Sequence, residues 1–244
     1  MASATPQIPE PGLFRGRRSA GVLAVVVMSL AVSLGGPPQV TATEASTLTL
    51  SASSSVITWG ETVVLKVSFG SAGANRIVVL ETSRDLLTWE NINILNTDAN
   101  GNTSWPYRPA TNRYYRATFQ GAPDLAFARS SVIRVVVRQV VVLKPSSSGR
   151  TTIVSTGTQI PFSLSVRPSR PELLRTTFTL AIYRRVGTSW QRFATRDIAV
   201  DPYGNGTHTW TFSARGEWYV RAIANPTPDN ANSTWSRLER YSVR

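Results

Sequence analysis

From residue 45 onward, apolar and polar positions alternate with period two, the pattern of strands that place one face on a core and the other in solvent. In the stretch 62–69, Val63, Leu65, Val67 and Phe69 fall on one face, and Thr62, Lys66 and Ser68 on the other. Likewise Tyr115, Ala117 and Phe119 oppose Tyr114, Arg116 and Thr118, while Ile133, Val135 and Val137 oppose Arg134 and Arg138. No run of ten or more residues sustains a helical period. Between the runs stand turn signals such as Asp98-Ala99-Asn100-Gly101, Asp201-Pro202-Tyr203-Gly204 and Asn225-Pro226-Thr227-Pro228. Asp opens such turns by bonding its own backbone, and Gly supplies the positive φ that closes them. The pattern predicts an all-β chain with about seven short strands per ~100 residues, the spacing of Greek-key β-sandwiches.

The alternation is written twice. Trp89, Asp98, Gly101, Tyr114, Arg116 and Ala117 recur as Trp190, Asp201, Gly204, Tyr219, Arg221 and Ala222. The offset grows from 101 at the Trp pair to 105 at the Arg-Ala pair, as expected when loops lengthen between fixed strands. Two sandwiches follow, over 45–139 and 140–244. Because Val135 to Leu143 passes from one to the next without Gly or Pro, the joint is expected to be stiff.

Trp89, Thr97-Asp98-Ala99-Asn100-Gly101, Tyr115-Arg116-Ala117-Thr118-Phe119 and Ser130-Ser131 before Val135-Val136-Val137 resemble the bacterial immunoglobulin-like repeats of secreted and surface proteins, of the type common in actinobacteria. The likeness spans most of 45–139 and is weaker over the second unit. It implies tandem immunoglobulin-like sandwiches used as spacers, adhesive units or accessory modules, with no catalytic residues. The chain has no cysteine, so the disulfide of true immunoglobulin domains is missing.

Composition adds a leader and a charge. Arg15, Arg17 and Arg18 precede an uncharged run from Ala20 to Leu34, then Pro37-Pro38 and small residues to Ala42. This is the layout of a secretory signal peptide over 1–42. As a helix the run would span roughly 22 Å against about 30 Å of bilayer hydrocarbon, so no stable membrane span is expected after cleavage. An exported chain without disulfides must hold together by packing alone, which suits a bacterial protein. After Ala42 the chain carries 23 basic and 13 acidic side chains. The second unit holds most of the excess, with 14 basic against 6 acidic. A positive field favours encounter with anionic polymers.

Catalytic chemistry has little material. His208 is the single histidine and no cysteine exists, so a Cys-His arrangement is excluded and a serine triad would rest on His208 alone. Asp98 and Asp201 are equivalent turn residues in different units, whereas glycosidase carboxyls must lie within roughly 5–10 Å of each other. Asp98-x-Asn100-x-Asn102 lacks the glycine position and closing Glu of a calcium loop. No cofactor or metal is expected. Trp89 and Trp190 share a repeat position and are expected in the cores or between sheets, with Trp105 and Trp210 also structural. Trp59, Trp218 and Trp235 have no matching Trp in the other unit and are candidates for ligand contact. Tyr219, Arg221, Arg237 and Tyr241 join them as an expected outward face, since Arg beside aromatic rings can stack on sugars and pair with anions.

The sequence thus predicts a secreted, non-enzymatic, extracellular or envelope-associated protein acting in adhesion, envelope association or as a stiff module. A carbohydrate- or polyanion-binding module is the competing reading. Expected partners are an anionic cell-envelope polymer, a polysaccharide or another surface protein. No motif points to a specific nucleic acid.

Overall fold

A computed structural model describes residues 47–145, 149–169 and 176–244; the expected signal peptide over 1–42 lies outside them. The first part of the chain forms β1 (Thr49–Ala52), β2 (Val56–Thr58), β3 (Val63–Ser68), β4 (Ile77–Ser83), β5 (Glu90–Asn96), β6 (Asn102–Tyr107), β7 (Arg113–Phe119), β8 (Ala128–Arg129) and β9 (Ile133–Arg138). The second forms β10 (Val140–Lys144), β11 (Thr151–Val154), β12 (Gln159–Arg167), β13 (Thr177–Val186), β14 (Ser189–Ala199), β15 (Asn205–Thr211), β16 (Gly216–Ala224) and β17 (Glu239–Val243).

The topology is repeated. A three-stranded sheet β1-β3-β6 faces a larger sheet β2-β9-β7-β4-β5, with β8 paired to β7. In the second part β10-β12-β15 faces β11-β17-β16-β13-β14. In each large sheet the first strand joins in parallel, β2 on β9 and β11 on β17, while the other pairs are antiparallel. These are tandem immunoglobulin-like β-sandwiches.

Alternation builds each core. Val63, Leu65, Val67 and Phe69 are buried with Val78, Leu80, Tyr115, Ala117, Phe119, Val135 and Val137. Phe162, Leu164, Val166, Phe178, Leu180, Ile182, Phe212, Trp218, Val220 and Tyr241 fill the second. Trp105 and Trp210 pack partly buried against the two cores.

Both Asp-Gly turns close in one way. The Asp98 carboxylate accepts the Asn100 and Asn102 amides at 2.8 Å, and the Asp201 carboxylate those of Tyr203 and Asn205 at 2.9 and 2.8 Å. The Gly101 and Gly204 amides each donate to the Asp carbonyl at 3.0 Å. Gly101 has φ +76°, and a Cβ there would lie 1.8 Å from the Gly70 carbonyl oxygen; at Gly204, φ +84°, the distance is 2.9 Å to that of Val166. Glycine is required twice over at the first turn.

One residue, Gln139, separates β9 from β10, and it is 1% exposed. Its side chain donates to the carbonyls of Asn225 at 2.8 Å and Ala231 at 3.3 Å. The proline-rich loop of the second sandwich reaches back across the same joint. Asn230 Nδ2 donates to Ala110 O at 3.0 Å and Val137 O at 3.3 Å, the Asn112 amide to Asp229 O at 2.7 Å, and the Ala231 amide to Val137 O at 3.0 Å. Asn112 Oδ1 in turn accepts the Val137 amide at 2.8 Å.

Candidate functional site

The outer faces of the two large sheets carry what the cores do not use. On the first, Glu81 of β4 stands directly opposite Arg116 of β7. Arg116 donates Nε to Glu81 Oε2 at 2.7 Å and Nη2 to Oε1 at 3.1 Å, a bidentate pair, and Thr118 Oγ1 adds a bond at 2.5 Å. The guanidinium lies 3.9 Å over the Trp89 ring. The Arg116 bonds hold the Glu81 carboxyl below the usual carboxylate range, against burial that pushes it up and with Thr118 helping to lower it. That face closes on itself: charge meets charge, and the ring is covered.

The second sandwich keeps the arginine and loses the carboxylate. Arg221 of β16 stands opposite Ala181 of β13. Ala117 and Ala222 fix this correspondence, because each amide donates at 2.9 Å to a serine hydroxyl, Ser130 and Ser236, on the next strand connection. Arg221 instead donates Nη2 to the Tyr183 hydroxyl at 2.9 Å and lies 4.2 Å over Trp235. Arg192 of β14 donates to the same hydroxyl at 3.2 Å. The two Nη2 atoms therefore lie within about 6 Å of each other, a separation at which unit charges repel by roughly 1–3 kcal/mol between water-like and surface-like dielectrics. Arg221 Nε is buried without an acceptor in the described protein.

Around this pair the rings form a connected set. Tyr183 and Tyr219 stack at 4.3 Å, and Trp190 meets Tyr219 edge-on at 4.7 Å. Register places Arg240, Tyr219, Tyr183 and Arg192 in one row across β17, β16, β13 and β14. Arg185 and Glu217 pair at 2.6 Å beside it. Among the described residues Arg192, Arg221 and Arg240 have no carboxylate partner. Burial opposes ionisation of Tyr183, but the Arg221 and Arg192 bonds outweigh it and lower its hydroxyl below the ordinary phenol value. Tyr219 moves the other way, raised by burial and by neighbouring Tyr183. A cleft of about 340 Å³ opens between Trp190, Arg185, Arg240 and Thr151.

Several expectations change here. Trp218 is fully buried against Phe193 and Phe212, with its Nε1 bonded to Ala214 O at 3.1 Å, so it is a core residue and not a ligand contact. Tyr241 is 2% exposed and packs on Phe162 and Phe212, because β17 turns Glu239, Tyr241 and Val243 inward and Arg240 outward. Arg237 is exposed in the loop before β17 and joins no ring. Trp59 is 37% exposed beyond β2, where its amide bonds Arg138 O at 2.9 Å; no ring contact ties it to Trp235. Tyr219, Arg221 and Trp235 are brought together. Trp89 and Trp190, expected in cores, lie on outer faces, Trp190 at 40% exposure.

Sequence reasoning missed Tyr183, Arg192 and Arg240. A signal existed in the run Tyr183-Arg184-Arg185, set two residues before Thr188-Ser189-Trp190 by a Gly187 turn of φ +59°. This hairpin is tight, whereas the first sandwich inserts the turn from Arg84 to Trp89, wrapped around Asp85. Trp89 therefore ends a loop, and Trp190 sits within a strand.

Comparison with protein-family models and with curated proteins gives no match. Among solved structures the chain is similar to the chicken interferon gamma receptor alpha chain, at 12% identity, 83% of this chain, 99% of that chain and TM-score 0.48. It is also similar to the D0-D1 domain of intimin, at 13% identity, 80% and 97% coverage and TM-score 0.28. A third similar structure is a teleost fish polymeric Ig receptor ectodomain, at 10% identity, 80% and 97% coverage and TM-score 0.33. No residue of the outer face is transferred from these likenesses. Among the described residues no helix is long and apolar enough to cross a membrane, and no three His, Asp or Glu side chains converge on a metal position.

Proposed function

We propose that the chain is a secreted, non-enzymatic, immunoglobulin-like protein of bacterial type, acting in adhesion or cell-envelope association. Its two sandwiches, 45–139 and 140–244, work as one stiff extracellular unit. The observation that carries this reading is the joint. A linker of one buried glutamine, bracketed by Asn112, Asn230 and the 225–231 loop, has neither the length nor the composition of a flexible tether. Buried amide bonds of this kind contribute about 1 kcal/mol each and cost more when one partner is removed.

The test is small-angle scattering of the secreted chain beside Asn230→Ala, together with retention on isolated cell envelope. A single interdomain geometry that loosens in the variant supports stiffness; a broad ensemble in the unaltered chain refutes it. Retention at low salt that falls in high salt, as screening predicts for a basic protein, supports envelope association; no retention at low salt ends that part of the reading.

A further inference from the structure

We propose that the outer face of the second sandwich is a binding site for an acidic polysaccharide, whose carboxylate or phosphate group seats on Arg192 and Arg221 while a sugar ring lies on Trp190. The inference deepens the envelope-association reading and rests on it for the setting, an extracellular polymer.

Three observations converge. Two guanidiniums are drawn to one neutral hydroxyl, Tyr183, at 2.9 and 3.2 Å, and the position that supplies a carboxylate in the first sandwich holds Ala181. An anion from outside is the missing counterpart, and planar guanidinium forks suit carboxylate and phosphate oxygens. The arginines are also placed before any ligand arrives: Arg221 is stacked on Trp235 at 4.2 Å and Arg192 lies 5.6 Å over Tyr183, which reduces the ordering cost of binding. Finally, Trp190 is 40% exposed at the mouth of the 340 Å³ cleft that also holds Arg240. An open ring beside cations gives a sugar both an apolar seat and an anion contact.

The shape of the face selects a polymer. The row from Thr151 through Arg240, Tyr219 and Tyr183 to Arg192 crosses five strands, or about 19 Å at the usual strand spacing. Single-stranded nucleic acid fits less well. Its bases need successive open rings, whereas Tyr183 and Tyr219 cover each other and Arg221 covers Trp235. The nearest acids are accounted for: Glu217 is held by Arg185, and Asp197 by Thr179 at 2.8 Å.

The experiment is calorimetric titration of the secreted chain with polygalacturonate, with a phosphate-bearing polysaccharide, with neutral dextran and with oligothymidylate. The expected result is saturable binding to one of the acidic glycans, at least tenfold tighter than to dextran or oligothymidylate. Which of the two binds identifies the anion. Arg192→Gln, an exposed change, and Trp190→Ala should each weaken it at least tenfold with the melting temperature kept. Failure of both glycans to bind overturns the proposal, as does oligothymidylate binding as tightly, or binding that survives both variants. If the variants lose nothing in envelope retention, the association reading stands and this site does not.

Discussion

Arg116 and Arg221 occupy one position in two copies of a sandwich, and their surroundings differ by a single carboxylate. Opposite Arg116 stands Glu81, and the pair seals its face with Trp89 beneath. Opposite Arg221 stands Ala181, and the guanidinium turns to Tyr183 and Trp235 and gains Arg192 as a neighbour. The framework tolerates either arrangement because the outer face does not hold the sheets together. What it does decide is whether the charge is satisfied from within or left for a partner.

The comparison can be broken first at the core. Trp218 has no counterpart Trp in the first sandwich, yet it is the largest fully buried side chain. Trp218→Ala should cost about 3–5 kcal/mol in denaturant unfolding, while Trp190→Ala should cost less than about 1 kcal/mol. Equal losses would mean that Trp190 is structural too. The turns come next. Gly101→Ala drives a Cβ to 1.8 Å from a carbonyl oxygen, against 2.9 Å at Gly204, so it should destabilise by about 2 kcal/mol or more and exceed Gly204→Ala.

Glu81→Gln addresses the sealed face directly. Both partners are 14% exposed, and removing the charge should cost about 1–2 kcal/mol at neutral pH. The Glu81 pKa is lowered in the folded state from an ordinary value of 4.5, so its stabilisation is present above pH 4.5 and disappears as pH falls through the folded value. Unfolding curves of the two proteins should therefore converge in acid; a gap that persists there would assign the effect to packing. The smallest effect is expected for Arg192→Gln, within about 0.5 kcal/mol, because its only recorded partners are a neutral hydroxyl and a ring on the surface.

Much of this architecture was legible from period two. Strand faces such as Val63-Leu65-Val67 and Ile133-Val135-Val137, and the turns opened by Asp98 and Asp201, follow from local chemistry that a one-residue slip would invert. The site was legible only in part, because it depends on register between strands far apart in sequence. Glu239 at an inward position disguised the parity of β17, which hid Tyr241 and misplaced the outward arginine onto Arg237 rather than Arg240. Trp89 and Trp190 align in sequence, but one hairpin carries a loop where the other continues its strands, so equal spacing did not mean equal environment. The proline-rich loop, marked by sequence as a place where the copies disagree, forms the joint.

The central claim is that one missing carboxylate leaves the second face open to an anion. The most direct measurement is acidic-glycan titration of Ala181→Glu, which places in the second sandwich the carboxylate that the first already has. Retained melting temperature with at least a tenfold loss of binding is the predicted result. Unchanged binding, with the protein folded, would contradict it.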